Sequence, residues 1–522
     1  MRKGGTALPP NNESTESSTQ NLTNTRLKMR SFLAYKYCKY AHFLTYEYCK
    51  YAHFLTYKYC KYALLIDNIP ERSHEEMFKR KAMDTLKWWK ENYDGKYAAL
   101  LQGARRVGKS TIAENFAKEN YQSYITIDFS NISSELKRVF DDISDLDIFF
   151  LRLQALTSTQ LYERKSVIIF DEIQLAPKVR QAIKHLVKDG RYDYIETGSL
   201  ISIKKNVKDI LIPSEEIKID VYPMDYEEFN WACHKDNAIF EKLNSCKSAI
   251  GASTNRTLMR DFRIYMAVGG MPQAVEAYLN KKSFQEIDFI KRGIIDLYKD
   301  DFRKIDPSGR ISAIFESIPG QLALQKNRFF ISKATKGRKR VKDEELLADL
   351  IDSKTVLLCS NVADPSIALN LTKEFDSYKL YFADTGLFVT QIFNSQLLVG
   401  ENIYNKLLSD KLEANLGYLY ENAAAQIIHS SGRELFYHTW KLDHQTHSHE
   451  IDFLIVDKAK LIPLEIKSSD TKNHKSINEF AKKYSSRISR RLLFSQSDIS
   501  HEGMLELKPM YLLPQFLKEL NK

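Results

Sequence analysis

The chain has 522 residues, 43% of them apolar and 28% charged, with a formal net charge of +10. That length exceeds one ordinary domain, and three or so are expected. No apolar run approaches the ~18 residues needed to cross a membrane, and the start, Met-Arg-Lys-Gly-Gly-Thr, leads into Asn, Ser and Thr rather than a signal-like apolar stretch.

The basic surplus permits a nucleic-acid partner, and it equally describes a solvated surface. Six cysteines show no paired metal-ligand spacing. Cys38, Cys49 and Cys60 belong to a repeat, which leaves Cys233, Cys246 and Cys359 as expected reduced thiols of a cytosolic protein.

In chain order, residues 11–25 are rich in Asn, Ser and Thr and read as disordered. Three near-identical 11-residue copies follow, starting at Phe32, Phe43 and Phe54. Eleven residues nearly match three helical turns, so an amphipathic array is one reading. A recent duplication, or sequence upstream of a native start at Met77, is the other. Residues 1–76 are expected to be dispensable.

From Met77 the pattern is regular. Residues 77–93 predict an amphipathic helix with Leu86, Trp88 and Trp89, and 97–101 a short apolar strand. Then comes Gly103-Ala104-Arg105-Arg106-Val107-Gly108-Lys109-Ser110-Thr111, and helical composition to residue 119. Strands are predicted at 124–128, 166–170 and 192–196, with helices around 146–153 and 178–188. Strands alternating with helices imply a parallel sheet covered on both faces.

The glycine segment carries the chemistry of a phosphate-binding P-loop. Glycines let backbone N–H groups approach phosphates, a lysine reaches the β- and γ-phosphates, and a hydroxyl holds Mg²⁺. Gly103, Gly108, Lys109 and Ser110 supply these parts between a strand and a helix. The pattern arises by chance in roughly 2% of chains this long. Some 60 residues on, Val167-Ile-Ile-Phe-Asp171-Glu172 is a buried strand ending in two acids. Asp171 is placed to serve the metal and Glu172 the attacking water. A third strand ends Glu196-Thr197-Gly198-Ser199, where Thr197 and Ser199 are candidate γ-phosphate sensors or simply a turn. Asn280-Lys-Lys-Ser lacks the acid of guanine recognition, so ATP with Mg²⁺ is the expected cofactor.

At this point the chain resembles the prokaryotic AAA+ superfamily ATPases whose P-loop reads Gly-x-Arg-Arg-Val-Gly-Lys-Ser/Thr. The likeness includes Asp-Glu-Ile-Gln at 171–174, Thr-Gly-Ser at 197–199 and Tyr-Pro-Met-Asp-Tyr-Glu-Glu-Phe at 222–229. It continues through Tyr265-Met-Ala-Val-Gly-Gly-Met-Pro272 and Lys379-Leu-Tyr-Phe-Ala-Asp-Thr-Gly-Leu387, and covers 77–522 with a C-terminal domain of unknown function. The resemblance implies ATP binding and hydrolysis. No arginine finger is identifiable. Arg180, Arg191 and Lys204-Lys205 are the possible cations.

Beyond 225 the pattern turns helical. Helices around 311–325 and 342–351 with a strand at 355–359 resemble a winged helix, and Lys333–Lys342 is strongly basic, as a duplex-DNA contact or a solvated loop would be. In the last part, a helix carries Glu421, a strand presents Asp452 and the next strand ends Glu465-Ile-Lys467. Alternation puts Glu465 and Lys467 on one face. Together they resemble the PD-(D/E)xK nuclease core, in which carboxylates hold Mg²⁺ and a lysine positions water. Lys467 pairing with Asp452 or Glu465 in a non-cleaving module is the alternative. His438, His444, His447 and His449 are expected in a polar loop rather than around a metal.

The expected architecture is α/β. It comprises an N-terminal extension (1–76), a P-loop ATPase sheet (77–230), a helical lid (231–304), a winged-helix-like middle domain (305–375) and a PD-(D/E)xK-like α/β domain (376–522). The first functional expectation is an ATP-driven switch acting on DNA. The rivals are an ATP-regulated metal-dependent nuclease and a STAND-like signalling module sensing a protein partner. Oligomeric state is left open.

Overall fold

The computed structural model describes residues 77–93, 95–198, 214–235, 237–324, 328–335, 341–394, 401–409, 417–441, 448–468 and 474–521. The repeat array, Ser199, Lys204-Lys205, residues 336–340 of the basic 333–342 segment, His444 and His447 lie outside these residues. Glu71 to Lys522 forms one unit.

The first part is α1 (Lys81–Tyr93), β1 (Ala98–Gln102), α2 (Lys109–Asn120), β2 (Ser123–Asp128), α3 (Ser134–Val139), α4 (Leu146–Thr157), β3 (Ser166–Asp171), α5 (Pro177–Asp189), β4 (Asp193–Gly198) and β5 (Glu216–Asp220). The strands make one parallel sheet in the order β2-β3-β4-β1-β5. Ala98–Leu101 and Val167–Phe170 are wholly buried, as strands covered on both faces must be. Helix α5 turns Val179, Ile183, Leu186 and Val187 inward and packs them in a core with Ile168, Phe170 and Tyr194. Helix α1 starts four residues later than predicted. Trp89 is buried and its Nε1 donates to Tyr97 O at 3.1 Å, whereas Trp88 faces outward. The edge strand β5, Glu-Ile-Lys-Ile-Asp, alternates polar and apolar residues and was not predicted.

Helices α6 (Tyr226–Ala232), α7 (Ala238–Asn244), α8 (Ala252–Val268), α9 (Pro272–Leu279) and α10 (Phe284–Ile305) follow, as the helical pattern predicts. Asp225 starts α6 and Ser283 starts α10, each in a reciprocal capping box. Next come α11 (Arg310–Ala323), α12 (Ile331–Ala334), α13 (Val341–Asp352), β6 (Val356–Val362), β7 (Lys373–Phe382), α14 (Thr385–Ile392) and α15 (Glu401–Leu408). Three of these helices, α11 to α13, precede the antiparallel pair β6/β7.

The last part contains α16 (Gly417–Ser430), β8 (Leu435–Lys441), β9 (Ser448–Ile451), β10 (Phe453–Asp457), β11 (Lys460–Ile466), α17 (Lys475–Lys483), β12 (Arg491–Ser495), β13 (Ser500–Glu502), β14 (Leu505–Pro509) and α18 (Leu513–Glu519). Two sheets form here, β7-β6-β8-β9 and β10-β11-β12-β14-β13. Position 375/376, where two domains were expected to divide, falls inside β7, and the parallel pairing of β6 with β8 joins both sides. Strands β9 and β10 are two halves of one stretch. The first half pairs with β8, the second with β11, and Asp452 sits at the break. Among the described residues no helix is long and apolar enough to cross a membrane.

Candidate nucleotide site and a C-terminal carboxylate cluster

The loop between β1 and α2 is built on glycine where space and backbone demand it. A Cβ on Gly103 would meet Val221 O at 2.2 Å. Gly108 has φ 94° and serves as the N-cap of α2 without a side-chain cap, so the first-turn N–H groups lack a capping side chain. Arg106 is also left-handed, with φ 69°. Ala104 and Val107 are buried beneath the loop.

Lys109 is 8% exposed, and among the described residues its Nζ donates only to neutral carbonyls, Gly103 O at 3.1 Å and Ala104 O at 3.0 Å. Burial lowers its pKa to about 8; Glu172 and Asp171 oppose the shift and Arg105 adds to it. Ser110 Oγ donates to Asp171 Oδ1 at 2.7 Å, and the Thr197 hydroxyl bonds the same oxygen. Thr111 follows on the exposed side of α2. Asp171 ends β3, and Glu172 beyond it is left-handed at φ 54°, with its carboxylate held by Gln174 Nε2.

Alternation along β4 separates two neighbours. Thr197 turns to Asp171, while Glu196 turns to a buried trio with Arg180 and Glu216. Arg180 bonds Glu216 at 3.0 and 2.7 Å, and Glu196 is pushed to a higher pKa by burial. Arg180 is therefore a core cation and not an arginine finger. Arg191 is tied to Asp189 and Asp147.

A cavity of about 640 Å³ opens over the loop. Its floor includes Arg105, Arg106, Lys109, Ser110, Thr111 and Glu172. Sequence reasoning missed its other walls. Met77, Phe78 and Asn115 also line it, as do Pro272, Gln273, Glu276 and Leu279 of α9 and Asn280 just beyond it. The Gly-Gly-Met-Pro turn that launches α9 was the available signal. Arg105 faces α10, where it pairs with Asp301 at 3.2 Å, and Tyr298 Oη donates to its carbonyl at 3.0 Å.

The C-terminal residues converge differently. Carboxylate oxygens of Glu421 (α16), Glu450 (β9) and Asp452 lie within 4.8 Å of one another. Lys379 of β7 is inserted among them, 2.9 Å from Glu421 and 2.6 Å from Glu450, and Tyr381 Oη also donates to Glu421. Burial depresses the lysine, but these carboxylates outweigh it and hold its pKa well above the ordinary value. Burial, then the Glu421 charge, pushes Asp452 up to about 8. Glu465 and Lys467 share a face as predicted, and they pair with each other at 2.8 Å. Glu465 is not one of the clustered three. Nothing in the local sequence marks Glu450 or Lys379 for this cluster.

His438 and His449 are buried on β8 and β9, not in a polar loop. His438 Nδ1 contacts Val362 O at 2.7 Å and its ring stacks on Trp440. Cys233, Cys246 and Cys359 are free thiols.

Residues 95–230 match the family described as AAA domain. Residues 259–397 match a Domain of unknown function (DUF8612), and 416–510 another (DUF4143). An uncharacterized protein of Methanocaldococcus jannaschii is 26% identical over 212 residues, which are 38% of this chain and 43% of that protein's length. Among solved structures, the Thermotoga maritima RuvB Holliday junction branch migration motor aligns at 12% identity over 55% of this chain and 92% of that one, with a TM-score of 0.24. Residues 95–230 thus match an AAA domain and form a parallel α/β sheet behind the P-loop, and the matches beyond residue 230 name no activity.

Proposed function

We propose that the chain binds Mg-ATP at the P-loop, hydrolyses it, and uses the cycle to rearrange its C-terminal half on DNA. The observation that carries ATP binding is Lys109, a buried cation beside a 640 Å³ cavity with, among the described residues, only neutral carbonyls as hydrogen-bond partners. Triphosphate oxygens would supply the missing charge, and the apolar wall of Met77, Phe78 and Leu279 with two asparagine amides suits a base. Ser110 and Asp171 form the hard-oxygen donor pair that Mg²⁺ takes, and the ion would neutralise phosphate charge. Glu172 is assigned to the attacking water and Thr197 to sensing the γ-phosphate; Ser199 keeps the same proposed role from its position in sequence.

The output would move as one body. Strand β7 ties the winged-helix-like segment to the C-terminal sheets, and Asp384 just beyond β7 accepts from Gly270 N at 2.6 Å, next to α9 at the nucleotide cavity. Equilibrium binding of ATP to the full chain and to Lys109→Ala tests the reading. Wild-type affinity in the variant would refute it.

A second reading, a metal-dependent nuclease, is favoured by the carboxylate trio at the break between β9 and β10, with Lys467 nearby. With β9 and β10 counted as one broken strand, the αβββαβ order of α16 to β12 supports a PD-(D/E)xK-like fold. The donor set suits a hard divalent cation, although Lys379 already balances part of its charge. Incubating single- and double-stranded DNA and RNA with the protein, Mg²⁺ or Mn²⁺, with and without ATP, decides it. Uncut substrates with salt-dependent DNA binding favour the switch.

A further inference from the structure

We propose that Arg80, upstream of every motif of the nucleotide site, is the positioning residue that fixes the P-loop peptide facing the phosphates. This rests on the nucleotide-binding reading. Arg80 precedes α1 and its side chain is 5% exposed. Its guanidinium has three acceptors on two segments. Nη1 donates to Val107 O at 2.9 Å, Nη2 to Tyr222 O at 2.6 Å, and Nε to Glu228 Oε1 at 3.2 Å.

The Val107 carbonyl belongs to the peptide whose N–H is that of Gly108. A trans peptide is planar, with C=O and N–H pointing in opposite directions. Holding the Val107 oxygen on Arg80 therefore turns the Gly108 N–H away from it, free for a phosphate oxygen. Glycine makes the lock necessary. Gly108 sits at φ 94°, in the region where glycine rotates at little cost. A flip of that peptide would present a carbonyl oxygen to the phosphates instead of a donor.

The Tyr222–Phe229 motif becomes intelligible as the mount for this arginine. Tyr222 gives its carbonyl and Glu228 its carboxylate. The capping box fixes Glu228 in turn, with Glu228 N donating to Asp225 Oδ1 at 3.0 Å and Asp225 N to Glu228 Oε2 at 3.3 Å. Glu228 Oε1 also accepts from Lys81 N at 2.7 Å, which anchors the start of α1.

Arg80→Met alone would leave the Glu228 carboxylate buried without its cation, and the chain could fail to fold for that reason. The test is therefore the pair Arg80→Met with Glu228→Gln, in which the one glutamine oxygen can still accept from Asp225 N in the capping box while the contact to Lys81 N is given up, a loss that Glu228→Gln alone controls for. Dissociation constants for ADP and ATP are measured on the full chain by titration calorimetry, together with thermal melting and saturated turnover. A charge-assisted hydrogen bond is lost, so both constants should rise about tenfold, and by the same factor. Saturated turnover should change far less. Arg80→Lys keeps the charge but one contact at most, and should weaken binding by an intermediate factor.

A folded double variant with wild-type constants overturns the proposal. So does a variant whose turnover falls while its affinities hold. Should the double variant not fold, Arg80→Lys decides, and wild-type affinity in that protein overturns the proposal. If the wild type itself binds neither nucleotide, the nucleotide-site reading fails instead.

Discussion

Lys109 and Lys379 are both buried lysines beside carboxylates, yet they are shifted in opposite directions. Lys109 touches neutral carbonyls and falls to about 8. Lys379 touches Glu421 and Glu450 and rises well above its ordinary range. Burial is the largest influence on each, so the contacting groups decide the sign. The P-loop leaves a cation under-compensated, and an arriving anion gains by completing it. In the C-terminal cluster the chain's own ammonium already does so, and an arriving metal ion must displace or outcompete it. One site is built open and the other closed.

The largest effect expected of a single substitution tests the open site. Lys109→Met should remove detectable nucleotide binding and lower turnover by at least about 10²- to 10³-fold. Normal turnover would break the comparison at its first term. Glu172→Gln should separate binding from chemistry, with turnover down about 10²-fold and ATP affinity retained. Single-turnover kinetics beside equilibrium binding would resolve the two. A parallel loss of affinity would move Glu172 from the water to the metal or the nucleotide.

The closed site is probed by Lys379→Met. Removing one partner from a buried ion cluster costs about 3 kcal/mol, the low end for such groups because the glutamates are partly exposed. Mn²⁺ should then restore melting temperature in the variant far more than in the wild type. If the variant melts like the wild type and ignores Mn²⁺, Lys379 is not the internal counter-ion of this cluster.

The two sites also differ in how far the sequence revealed them. The P-loop is contiguous, and Asp171-Glu172 follows the apolar run Val167–Phe170, so local pattern sufficed. The cavity walls from Met77, Phe78 and α9 needed tertiary packing, as did the burial of Arg180. Asp452 was legible on its predicted strand, but Glu450, two residues before it, was not singled out. Lys379 enters from β7, at the opposite edge of the sheet from the strand that carries Glu450, and nothing local marks its destination. The histidines were misplaced because the polar run around them hid the flanking alternation of Leu-Phe-Tyr-His-Thr-Trp on β8. Strand β5 was missed because edge strands have little apolar signal.

A third buried lysine gives the smallest effect and guards against reading a lowered pKa as a mark of function. Lys291 of α10 donates to Ala267 O at 2.6 Å, Tyr404 Oη at 3.1 Å and Gly386 O at 3.3 Å. Like Lys109 it falls to about 8, burial dominating over the opposing charge of Asp288. Its ordinary value, 10.5, is the higher one, so between pH 8 and 10.5 the unfolded chain binds more protons than the folded. Stability must rise with pH across that window, while below pH 8 the full cost of burying the charge is present and constant. The slope is at most about 1.4 kcal/mol per pH unit for one group. Denaturant melts of the wild type and Lys291→Met, both saturated with ADP so that phosphate compensates Lys109, isolate it. The difference in unfolding free energy should tilt toward the wild type as pH rises from 8 to 9.5, a range below the ionisation of the buried tyrosines. A flat difference would mean that Asp288, bonded to Thr390 and Tyr404 at 2.7 and 2.8 Å, compensates Lys291 as fully as Glu421 and Glu450 compensate Lys379. The division between open and closed lysines would then have to rest on the cavity over the P-loop rather than on charge.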